Sequence, residues 1–282
     1  MAHCIVKEAE DILDKEFKVL DKGFVRLVDY MGSDSRIVQS ARVSYGEGTK
    51  SYREDAGLID YLLRNRHTSP FEQVVFTFHM KLPVFIARQM VRHRTARLNE
   101  ISGRYSIMKE EFYIPAMDDV CPQSTDNKQG RSPEAFPPEK AENIRKALAA
   151  GQKSAYDVYT AMIDGGLARE LARINLPLSM YTEWYWQIDL NNLFHFLELR
   201  LGAHAQKEIR VYAQVMLDIA KKVVPAACES FERNILGAVT FSKDEAAELR
   251  RRLAAQAGGE TAGCLLDERA RSRFEDKLKG IR

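Results

Sequence analysis

The chain has 282 residues, of which 45% are hydrophobic and 29% are charged, and its 42 basic and 40 acidic residues give a formal net charge of +2. This composition predicts a soluble globular protein that can bury a sizeable core, as one large domain or two small ones. The near balance of charge is not typical of a nucleic-acid-binding or membrane-surface protein, so any basic surface must be local.

The cysteines and the first residues predict a cytoplasmic protein without a metal centre. Cys4, Cys121, Cys228 and Cys264 are far apart and form no Cys-x-x-Cys pair or zinc-binding Cys/His spacing, so we expect reduced thiols. The amino-terminal residues lack the basic start and apolar run of a signal peptide. No stretch reaches the ~18 apolar residues that a membrane span needs.

Hydrophobic periodicity predicts short helices and strands up to residue 80, after a weakly helical segment over 1–22. The predicted elements are a strand over 23–32, a helix over 33–43, a helix over 56–66 and, after a turn at Pro70, a strand over 71–80. In this last strand Val74, Phe76, Phe78 and Met80 alternate onto one face, which predicts that this face is buried. Residues 46–50 contain a fragment of a phosphate-binding loop, but both nucleotide fingerprints are incomplete, so a plain loop fits better.

The rest of the chain predicts a helix-rich core around a small sheet. The expected elements are a helix over 83–91, a long loop over 117–139, a helix over 142–164, a further turn or two over 167–174, a strand over 180–188, and helices over 191–201 and 203–224. After residue 237 the composition shifts to a charged segment rich in Ala, Glu and Arg. We expect this segment to be a carboxyl-terminal extension.

An arginine-rich strip over 88–106 brings more charged and hydrogen-bonding side chains together than any other segment. Its arginines are Arg88, Arg92, Arg94, Arg97 and Arg104. Arginine is suited to bidentate binding of phosphate or carboxylate, so the strip predicts an anion-binding and catalytic surface. A solvated helix face is the alternative, but the histidine, asparagine, glutamate and serine at 93, 99, 100 and 102 exceed what such a face requires.

The spacing within the strip predicts which side chains lie together. Gln89, Arg92 and His93 are expected on one helical face, and Ser102 and Arg104 on the same side of an extended segment. Ser102 has no neighbouring base and acid for a catalytic triad, so a hydrogen bond to phosphate is the better role. His93 could equally be a core histidine that is satisfied by the backbone.

A second group of polar residues lies downstream, and alone it is weaker evidence. Its members are Arg173, Asp189, Asn191, His195, Arg200, His204 and Gln206. His195 and Glu198 lie on the helix side that faces away from the apolar stripe. Helix capping by Asn191 and a surface ion pair of Glu198 would explain part of this group without any function.

Together these segments resemble the flavin-dependent thymidylate synthases. That family is marked by Arg-His-Arg, seven residues and then Ser, which stand here as Arg92-His93-Arg94 and Ser102. The other matching motifs are His67-Thr68-Ser69-Pro70-Phe71-Glu72, Asn99-Glu100, Arg104-Tyr105, Arg173, Leu176-Pro177, Asn192-Leu193-Phe194-His195-Phe196, Leu199-Arg200 and His204-Ala205-Gln206. The resemblance covers about residues 20–235, and the order of several motifs makes it specific.

The resemblance implies an α/β (α+β) fold, a helix-rich single domain around a small, mainly antiparallel sheet. Residues 1–236 would form the catalytic domain, with a loop insertion at about 117–139, and residues 237–282 a charged helical extension. The implied reaction is reductive methylation of dUMP to dTMP, with 5,10-methylenetetrahydrofolate as carbon donor, FAD as hydride carrier and NADPH as reductant. Enzymes of this family are homotetramers whose flavin and nucleotide sites are shared between subunits.

The resemblance also implies the site residues by position. For FAD they are His67, Ser69, Arg92, His93, Arg94, Glu100, Asp189, Asn191 and His195, and for dUMP they are Gln89, Arg92, Glu100, Ser102, Gly103, Arg104, Arg173 and Arg200. Arg200 would be the catalytic residue, because a guanidinium against the uracil carbonyl and N3 edge stabilises the ionised pyrimidine and makes C5 more nucleophilic. Neither an enzyme thiolate nor a metal is needed. Arg97 and Asp189 stand where many relatives have a small polar residue and an Asn.

Two other functions remain open from the sequence. The arginine-rich strip, with Tyr105 and Trp184 or Trp186, could bind single-stranded nucleic acid by charge and stacking. The aromatic and helical surfaces could instead form a structural assembly interface that binds neither flavin nor nucleotide. The ordered motifs favour the enzyme over both.

Overall fold

The computed structural model describes residues 4–43, 52–125, 127–256 and 266–279. The loop fragment at 46–50 and the thiol of Cys264 lie outside these ranges. The chain divides into two compact units, Met1–Phe231 and Glu232–Arg282.

Five strands of the first unit form one antiparallel sheet. They are β1 (Glu16–Val19), β2 (Gly23–Met31), β3 (Val75–Pro83), β4 (Arg97–Glu100) and β5 (Tyr181–Asp189). Their order across the sheet is β1-β2-β3-β5-β4, and every neighbouring pair runs antiparallel. The expectation of a small, mainly antiparallel sheet is confirmed.

Helices make up most of the remaining regular structure in this unit. They are α1 (Lys7–Glu10), α2 (Asp34–Arg42), α3 (Tyr52–Arg64), α4 (Val84–Met90), α5 (Pro138–Asp164), α6 (Arg169–Ala172), α7 (Leu190–Leu201), α8 (Lys207–Val223) and α9 (Pro225–Phe231). Short 3₁₀ helices lie at Ser69–Gln73, Met117–Asp119 and Arg173–Asn175. None of the helices described is long and apolar enough to cross a lipid bilayer.

One face of the sheet forms the core. The side chains of Phe76, Phe78 and Met80 in β3 are fully buried, as the alternating pattern predicts. Trp184 and Trp186 of β5 join them, and helices α4, α7 and α8 pack against the sheet. The apolar residues of these helices recur at spacings of three and four, so each helix turns one apolar stripe toward the strands.

The contact between α8 and the sheet requires a glycine at the start of β2. The hydroxyl of Tyr212 in α8 donates a hydrogen bond to the backbone carbonyl of Lys81 at 2.7 Å. A Cβ atom added at Gly23 would lie 2.1 Å from that hydroxyl and 2.7 Å from the same carbonyl oxygen. Any side chain at Gly23 would therefore displace the helix from the sheet.

Two predicted boundaries are wrong because tertiary contacts decide them. Residues 16–19 are not weakly helical but form β1, since they pair with residues 23–26 of β2. Helix α8 begins at Lys207 rather than Ala203, because the chain first turns between α7 and α8, where the N–H of Ala205 donates to the carbonyl of Gly202 at 2.9 Å.

The segments around Pro70 and around residue 130 also differ in detail from the expectation. Pro70 lies in the first turn of the 3₁₀ helix Ser69–Gln73, so β3 starts later than predicted and continues to Pro83. The long loop expected over 117–139 ends earlier than predicted, because α5 begins at Pro138 and not at Glu142. The described residues before it form one 3₁₀ turn and an isolated bridge between Gln123 and Arg131.

The second unit contains two charged helices. After a π-helical turn at Glu232–Leu236, they are α10 (Lys243–Gln256) and α11 (Glu268–Lys279). Glu248 is fully buried and accepts hydrogen bonds from Arg251 at 2.7 and 2.6 Å and from Arg252 at 2.9 Å. The side chain of Phe274 in α11 is buried under the guanidinium of Arg252. A buried carboxylate is tolerated here because two arginines neutralise it.

Candidate active site

The arginine-rich strip begins within α4, which follows β3 directly. Met90 is the last buried residue of this helix. The residues at the next helical spacings, His93 and Arg94, are polar, so no apolar contact extends the helix. The expectation that Gln89, Arg92 and His93 share one helical face is therefore wrong, because Arg92 and His93 lie in the turns beyond the helix.

These turns and α7 nevertheless form one open cleft of about 650 Å³, which we term the arginine cleft. It is lined by Arg88, Gln89, Arg92, His93, Arg94, Thr95, His195, Leu199 and Arg200. Four of these side chains are guanidinium groups, and none of the lining residues that the structure describes is acidic. A cluster of arginines without opposing carboxylates is suited to bind an anion such as phosphate.

Arg200 is held in the arginine cleft by a neutral histidine. Its Nε donates a hydrogen bond to Nε2 of His93 at 3.1 Å, and the His93 ring packs edge-on against Phe196 with 4.9 Å between the ring centroids. Burial lowers the pKa of His93 to about 4, and the charges of Arg200 and His195 act in the same direction. Because Nε2 accepts from Arg200, the proton of the neutral ring is on Nδ1.

The guanidinium of Arg200 is charged and largely available to a ligand. Burial lowers its pKa, and the charge of Arg92 adds to this effect, but an arginine remains protonated near neutral pH. Its second contact, from Nη2 to the backbone carbonyl of Gln89, is long at 3.5 Å. No other hydrogen-bond partner of this group lies in the described part of the chain.

A second cleft, of about 370 Å³, lies where β4 ends, and we term it the turn cleft. It is lined by Val84, Glu100, Ile101, Gly103, Met108, Glu170, Arg173, Ile174, Leu176, Pro177, Leu178, Met180 and Thr182. Glu100 is the last residue of β4, and its carboxylate accepts a hydrogen bond from the Thr182 hydroxyl at 2.6 Å. The pairing of β4 with β5 thus fixes the position of this carboxylate.

The extended segment predicted from Ser102 to Tyr105 is wrong, because β4 has already ended and the chain turns. The carbonyl of Ser102 accepts hydrogen bonds from the backbone N–H groups of Tyr105 and Ser106, both at 3.1 Å. The Ser102 hydroxyl accepts one from the N–H of Arg104 at 3.3 Å. The side chains of Ser102 and Arg104 are therefore related by a turn and not by the alternation of a strand.

Close packing at Gly103 brings Arg173 to this turn. A Cβ atom added at Gly103 would lie 3.1 Å from Cδ of Arg173, so the missing side chain makes room for the arginine. Arg104 points to a different partner and forms an ion pair with Glu170 at 3.2 Å. The structure thus gathers residues of the strip and of the segment after α5 into one place.

The remaining residues implied for flavin lie outside both clefts. They are His67, Ser69, Asp189 and Asn191. The first two belong to the segment that precedes β3, and the other two to the junction of β5 and α7. These segments are neighbours, because the N–H of Leu190 donates to the carbonyl of Val74 at 2.8 Å.

Asp189 performs the capping role that the sequence suggested for Asn191. Its carboxylate accepts hydrogen bonds from the backbone N–H of Asn192 at 3.0 Å and from the side-chain amide of the same residue at 2.6 Å. An acidic side chain at this position also interacts favourably with the positive end of the helix dipole. The expectation of a cap at Asn191 is wrong.

The arginine cleft contains three residues that are not among those implied for FAD or dUMP. Arg88, Thr95 and Leu199 line it together with the predicted residues. Arg88 could have been included because it belongs to the arginine-rich strip. Leu199 could also have been included, because it belongs to the motif Leu199-Arg200. Thr95 carries no comparable signal, since threonine is common in any turn.

Comparison with known proteins decides the family. A family model described as "Thymidylate synthase complementing protein" matches residues 26–226, which is more than half of the chain. A protein of Treponema denticola named flavin-dependent thymidylate synthase is 63% identical over 270 residues, which cover 96% of this chain and 99% of that protein. The chain belongs to the flavin-dependent thymidylate synthase family.

Other matches support membership of the flavin-dependent thymidylate synthase family over the whole chain. The protein of that name from Treponema pallidum is 57% identical over 279 residues, covering 99% of this chain and 90% of that protein. A family model described as "Thymidylate synthase ThyX C-terminal domain" matches residues 239–282. Among solved structures, a UMP/dUMP methylase PolB from Streptomyces cacaoi bound with 5-Br dUMP gives a TM-score of 0.71 at 32% identity, covering 78% of this chain and 98% of that chain. The resemblance carried by the motifs, and the fold it implies, are confirmed.

Proposed function

We propose that this chain catalyses the reductive methylation of dUMP to dTMP. The support is its membership of the flavin-dependent thymidylate synthase family and its likeness to a UMP/dUMP methylase bound with 5-Br dUMP. 5,10-Methylenetetrahydrofolate would supply the carbon, FAD would carry the hydride and NADPH would reduce the flavin. The observation that carries the proposal is the charged Arg200, oriented by neutral His93 within a cleft of arginines.

The chemistry of the arginine cleft fits a flavin nucleotide. Its guanidinium groups at 88, 92 and 94 suit a pyrophosphate, and no acidic side chain among the described lining residues opposes that charge. When bound, FAD supplies the hydride that converts the transferred carbon to a methyl group. The residues proposed to hold it are His67, Ser69, Arg92, His93, Arg94, Glu100, Asp189, Asn191 and His195.

The residues proposed for dUMP combine cations with neutral hydrogen-bonding groups. They are Gln89, Arg92, Glu100, Ser102, Gly103, Arg104, Arg173 and Arg200. Arginine and serine side chains bind the oxygens of a phosphate, whereas the amide and the carboxylate offer partners for the pyrimidine and the sugar. The family resemblance, which implied these positions, is supported by the grouping of most of them around two clefts.

Arg200 would activate the pyrimidine. When N3 of uracil loses its proton, negative charge spreads over N3 and the adjacent carbonyl oxygens, and a guanidinium stabilises it through parallel N–H bonds. The ring then has more electron density at C5, which attacks the carbon donor. His93 supports this role because its neutral ring accepts the hydrogen bond from Nε of Arg200 and so orients the guanidinium without electrostatic repulsion.

A thiol-based route has no candidate among the described cysteines. Cys4 and Cys121 are partly buried and Cys228 is fully buried. None of the three lines the arginine cleft or the turn cleft. Attack of a cysteine thiolate on C6 of the pyrimidine therefore has no support here.

We propose further that the chain forms a homotetramer with active sites shared between subunits. The dUMP residues of one chain divide between the arginine cleft, with Gln89, Arg92 and Arg200, and the turn cleft, with Glu100, Gly103 and Arg173. A nucleotide held by the arginine cleft of one subunit and the turn cleft of another would use both sets. Residues 1–236 would supply the catalytic domain, and residues 237–282 an extension without site residues.

The visible spectrum of the purified protein tests the flavin requirement. With FAD added under anaerobic conditions and dUMP present, NADPH should bleach the yellow flavin absorbance. Methylenetetrahydrofolate should then restore the absorbance as dTMP forms. A protein that remains colourless after incubation with FAD would contradict the proposed function.

A further inference from the structure

A third cleft lies apart from the residues proposed for FAD and dUMP. Its volume is about 510 Å³, and we term it the lateral cleft. One wall, which we term the loop wall, is formed by residues 121–123 and 127–131, and the other by residues 203–210, which lead into α8. None of the residues proposed for FAD or dUMP lines it.

The loop wall of the lateral cleft is braced internally and anchored to α8. The side-chain amide of Gln123 donates hydrogen bonds to the carbonyls of Asn127 at 3.2 Å and Gly130 at 2.7 Å. Nη2 of Arg131 donates to both carboxylate oxygens of buried Glu208, at 2.7 and 2.8 Å. Burial alone would raise the pKa of Glu208, but the hydrogen bonds and the positive charge of Arg131, together with the other hydrogen bonds to this carboxylate, lower the pKa overall, so the pair is ionised.

The lateral cleft retains a positive charge after its internal pairs are formed. Arg131 neutralises Glu208, and Lys207, which also lines the cleft, pairs with Asp119. Arg210 is half-buried in the lining and forms no ion pair with any residue that the structure describes. None of the described lining residues is acidic. An anionic group in the cleft would therefore find a cation without a competing carboxylate.

The lining suits a polar chain better than a flat ring. Amide side chains at 123, 127, 129 and 206 offer donors and acceptors, whereas His204 is the only ring among the described lining residues apart from Pro122. The cleft also adjoins the arginine cleft, because Nε2 of Gln89 donates a hydrogen bond to Oε1 of Gln206 at 2.6 Å. A ligand tail leaving the active site beside Gln89 would meet the lateral cleft next.

We propose that the lateral cleft binds the anionic tail of a co-substrate, with Arg210 as the charged anchor. The inference rests on the proposed function, since both co-substrates of that reaction carry anions far from their reacting ends. These are the carboxylates of the glutamate tail of the folate and the 2′-phosphate of NADPH. Both are recognised by the same chemistry, a guanidinium supported by amide donors.

Tail fragments test the lateral cleft without turnover. The probes are adenosine 2′,5′-bisphosphate, which carries the phosphate of NADPH, and p-aminobenzoyl-triglutamate, which carries the carboxylates of the folate. In calorimetric titrations of the full-length protein we expect one of them to bind. Arg210→Gln should weaken that binding about tenfold, as expected when a hydrogen bond to a charged group is lost. The fragment that binds identifies the co-substrate.

Two matched variants serve as controls. Arg210→Lys retains the charge and should keep most of the affinity, whereas Lys146→Gln removes an exposed charge from α5 and should change nothing. An unchanged midpoint of thermal unfolding in Arg210→Gln checks that the variant is folded. The proposal is overturned if neither fragment binds, or if Arg210→Gln binds as well as the unmodified chain.

Two separate measurements distinguish ligand binding at the lateral cleft from synthesis of dTMP. Formation of dTMP by the unmodified protein is measured independently of fragment binding. A protein that makes dTMP but binds neither fragment refutes the lateral cleft alone. A protein that makes no dTMP counts against the proposed function, whatever the fragments do.

Discussion

At the scale of single residues, Arg200 combines a permanent charge with a fixed direction. A free arginine side chain samples many rotamers, and ordering it costs up to ~2 kcal/mol of conformational entropy. In this protein His93 accepts a hydrogen bond from Nε of Arg200, which holds the guanidinium in the lining of the arginine cleft. This ordering precedes substrate binding, which is the arrangement that electrostatic stabilisation of a developing charge requires.

Substitution of Arg200 by alanine should remove the activation of the pyrimidine and leave the other arginines of the cleft in place. We expect kcat for dTMP formation to fall about 10²- to 10³-fold, the loss typical when one such electrostatic donor is removed. Titration with FAD should give nearly the same flavin affinity as in the unmodified protein. Near-normal turnover by Arg200→Ala would exclude this residue from the chemistry.

Two substitutions of His93 distinguish its hydrogen bond to Arg200 from its role in filling space. A glutamine oxygen can accept the hydrogen bond of Arg200, whereas leucine only fills space. We expect His93→Leu to lower kcat about tenfold through misplacement of the guanidinium, and His93→Gln to lower it less. Because the pKa of His93 is about 4, its titration should not appear in the pH profile near neutrality. Equal losses of kcat in the two variants would argue against orientation through this hydrogen bond.

At the scale of secondary-structure elements, Asp34 connects α2 to the start of α9. Its two carboxylate oxygens accept hydrogen bonds from the backbone N–H groups of Ala226 at 2.8 Å and Ala227 at 3.0 Å. Burial raises the pKa of Asp34 to about 6, although both hydrogen bonds act in the opposite direction. Ionisation of Asp34 is therefore less favourable in the folded protein than in the unfolded chain.

This shift predicts that Asp34 makes the protein less stable as the pH rises. Between about pH 4 and pH 6 the folded state holds the proton more tightly than the unfolded state, so the free energy of unfolding falls as the pH increases through this window. A shift of about two pKa units corresponds to at most about 3 kcal/mol. Urea denaturation on both sides of the window should show this pH dependence reduced in Asp34→Asn. The same pH dependence in both proteins would refute the assignment.

The elements that could be predicted are those whose apolar residues repeat regularly. The period of two in β3 and the spacing of Leu193, Phe194 and Leu197 in α7 are local properties of the sequence. Both elements form, α7 within one residue of its predicted bounds and β3 shifted toward Pro83. Strand β1 has only four residues and exists because β2 pairs with it. The sequence alone does not identify the cap of α7, because Asp189 and Asn191 are both good capping residues and only the backbone conformation decides between them.

The sequence motifs predict which residues belong to the candidate site, but they do not predict how these residues are arranged in space. Short spacing along the strip suggested one surface, yet Arg92 and Glu100 line different clefts because β4 carries the chain away between them. At the turn after Ser102, Gly103 packs closely against Arg173, which is far away in sequence. Sequence periodicity contains no information on such contacts.

At the scale of the whole molecule, the division of the dUMP residues between two clefts predicts complementation between inactive subunits. Arg200→Ala damages the arginine cleft, and Arg173→Ala damages the turn cleft. If each site combines these clefts from different subunits, a site is intact when its arginine cleft comes from the Arg173→Ala chain and its turn cleft from the Arg200→Ala chain. Random mixing of the two co-expressed variants should therefore leave roughly a quarter of the sites intact. Activity of the co-expressed tetramer, compared with each variant alone, measures this. No recovery in a verified mixed tetramer would contradict shared sites.

The central claim is that the electrons for the methyl group come from NADPH through a flavin. The measurement that tests it most directly is chromatographic analysis of nucleotide and folate products after the purified protein is supplied with dUMP, methylenetetrahydrofolate, FAD and NADPH. We predict that dTMP forms together with tetrahydrofolate, with one NADPH oxidised for each dTMP, because the folate donates the carbon but no hydride. Absence of dTMP from protein loaded with FAD, or dTMP formed with dihydrofolate in the absence of FAD and NADPH, would contradict the account.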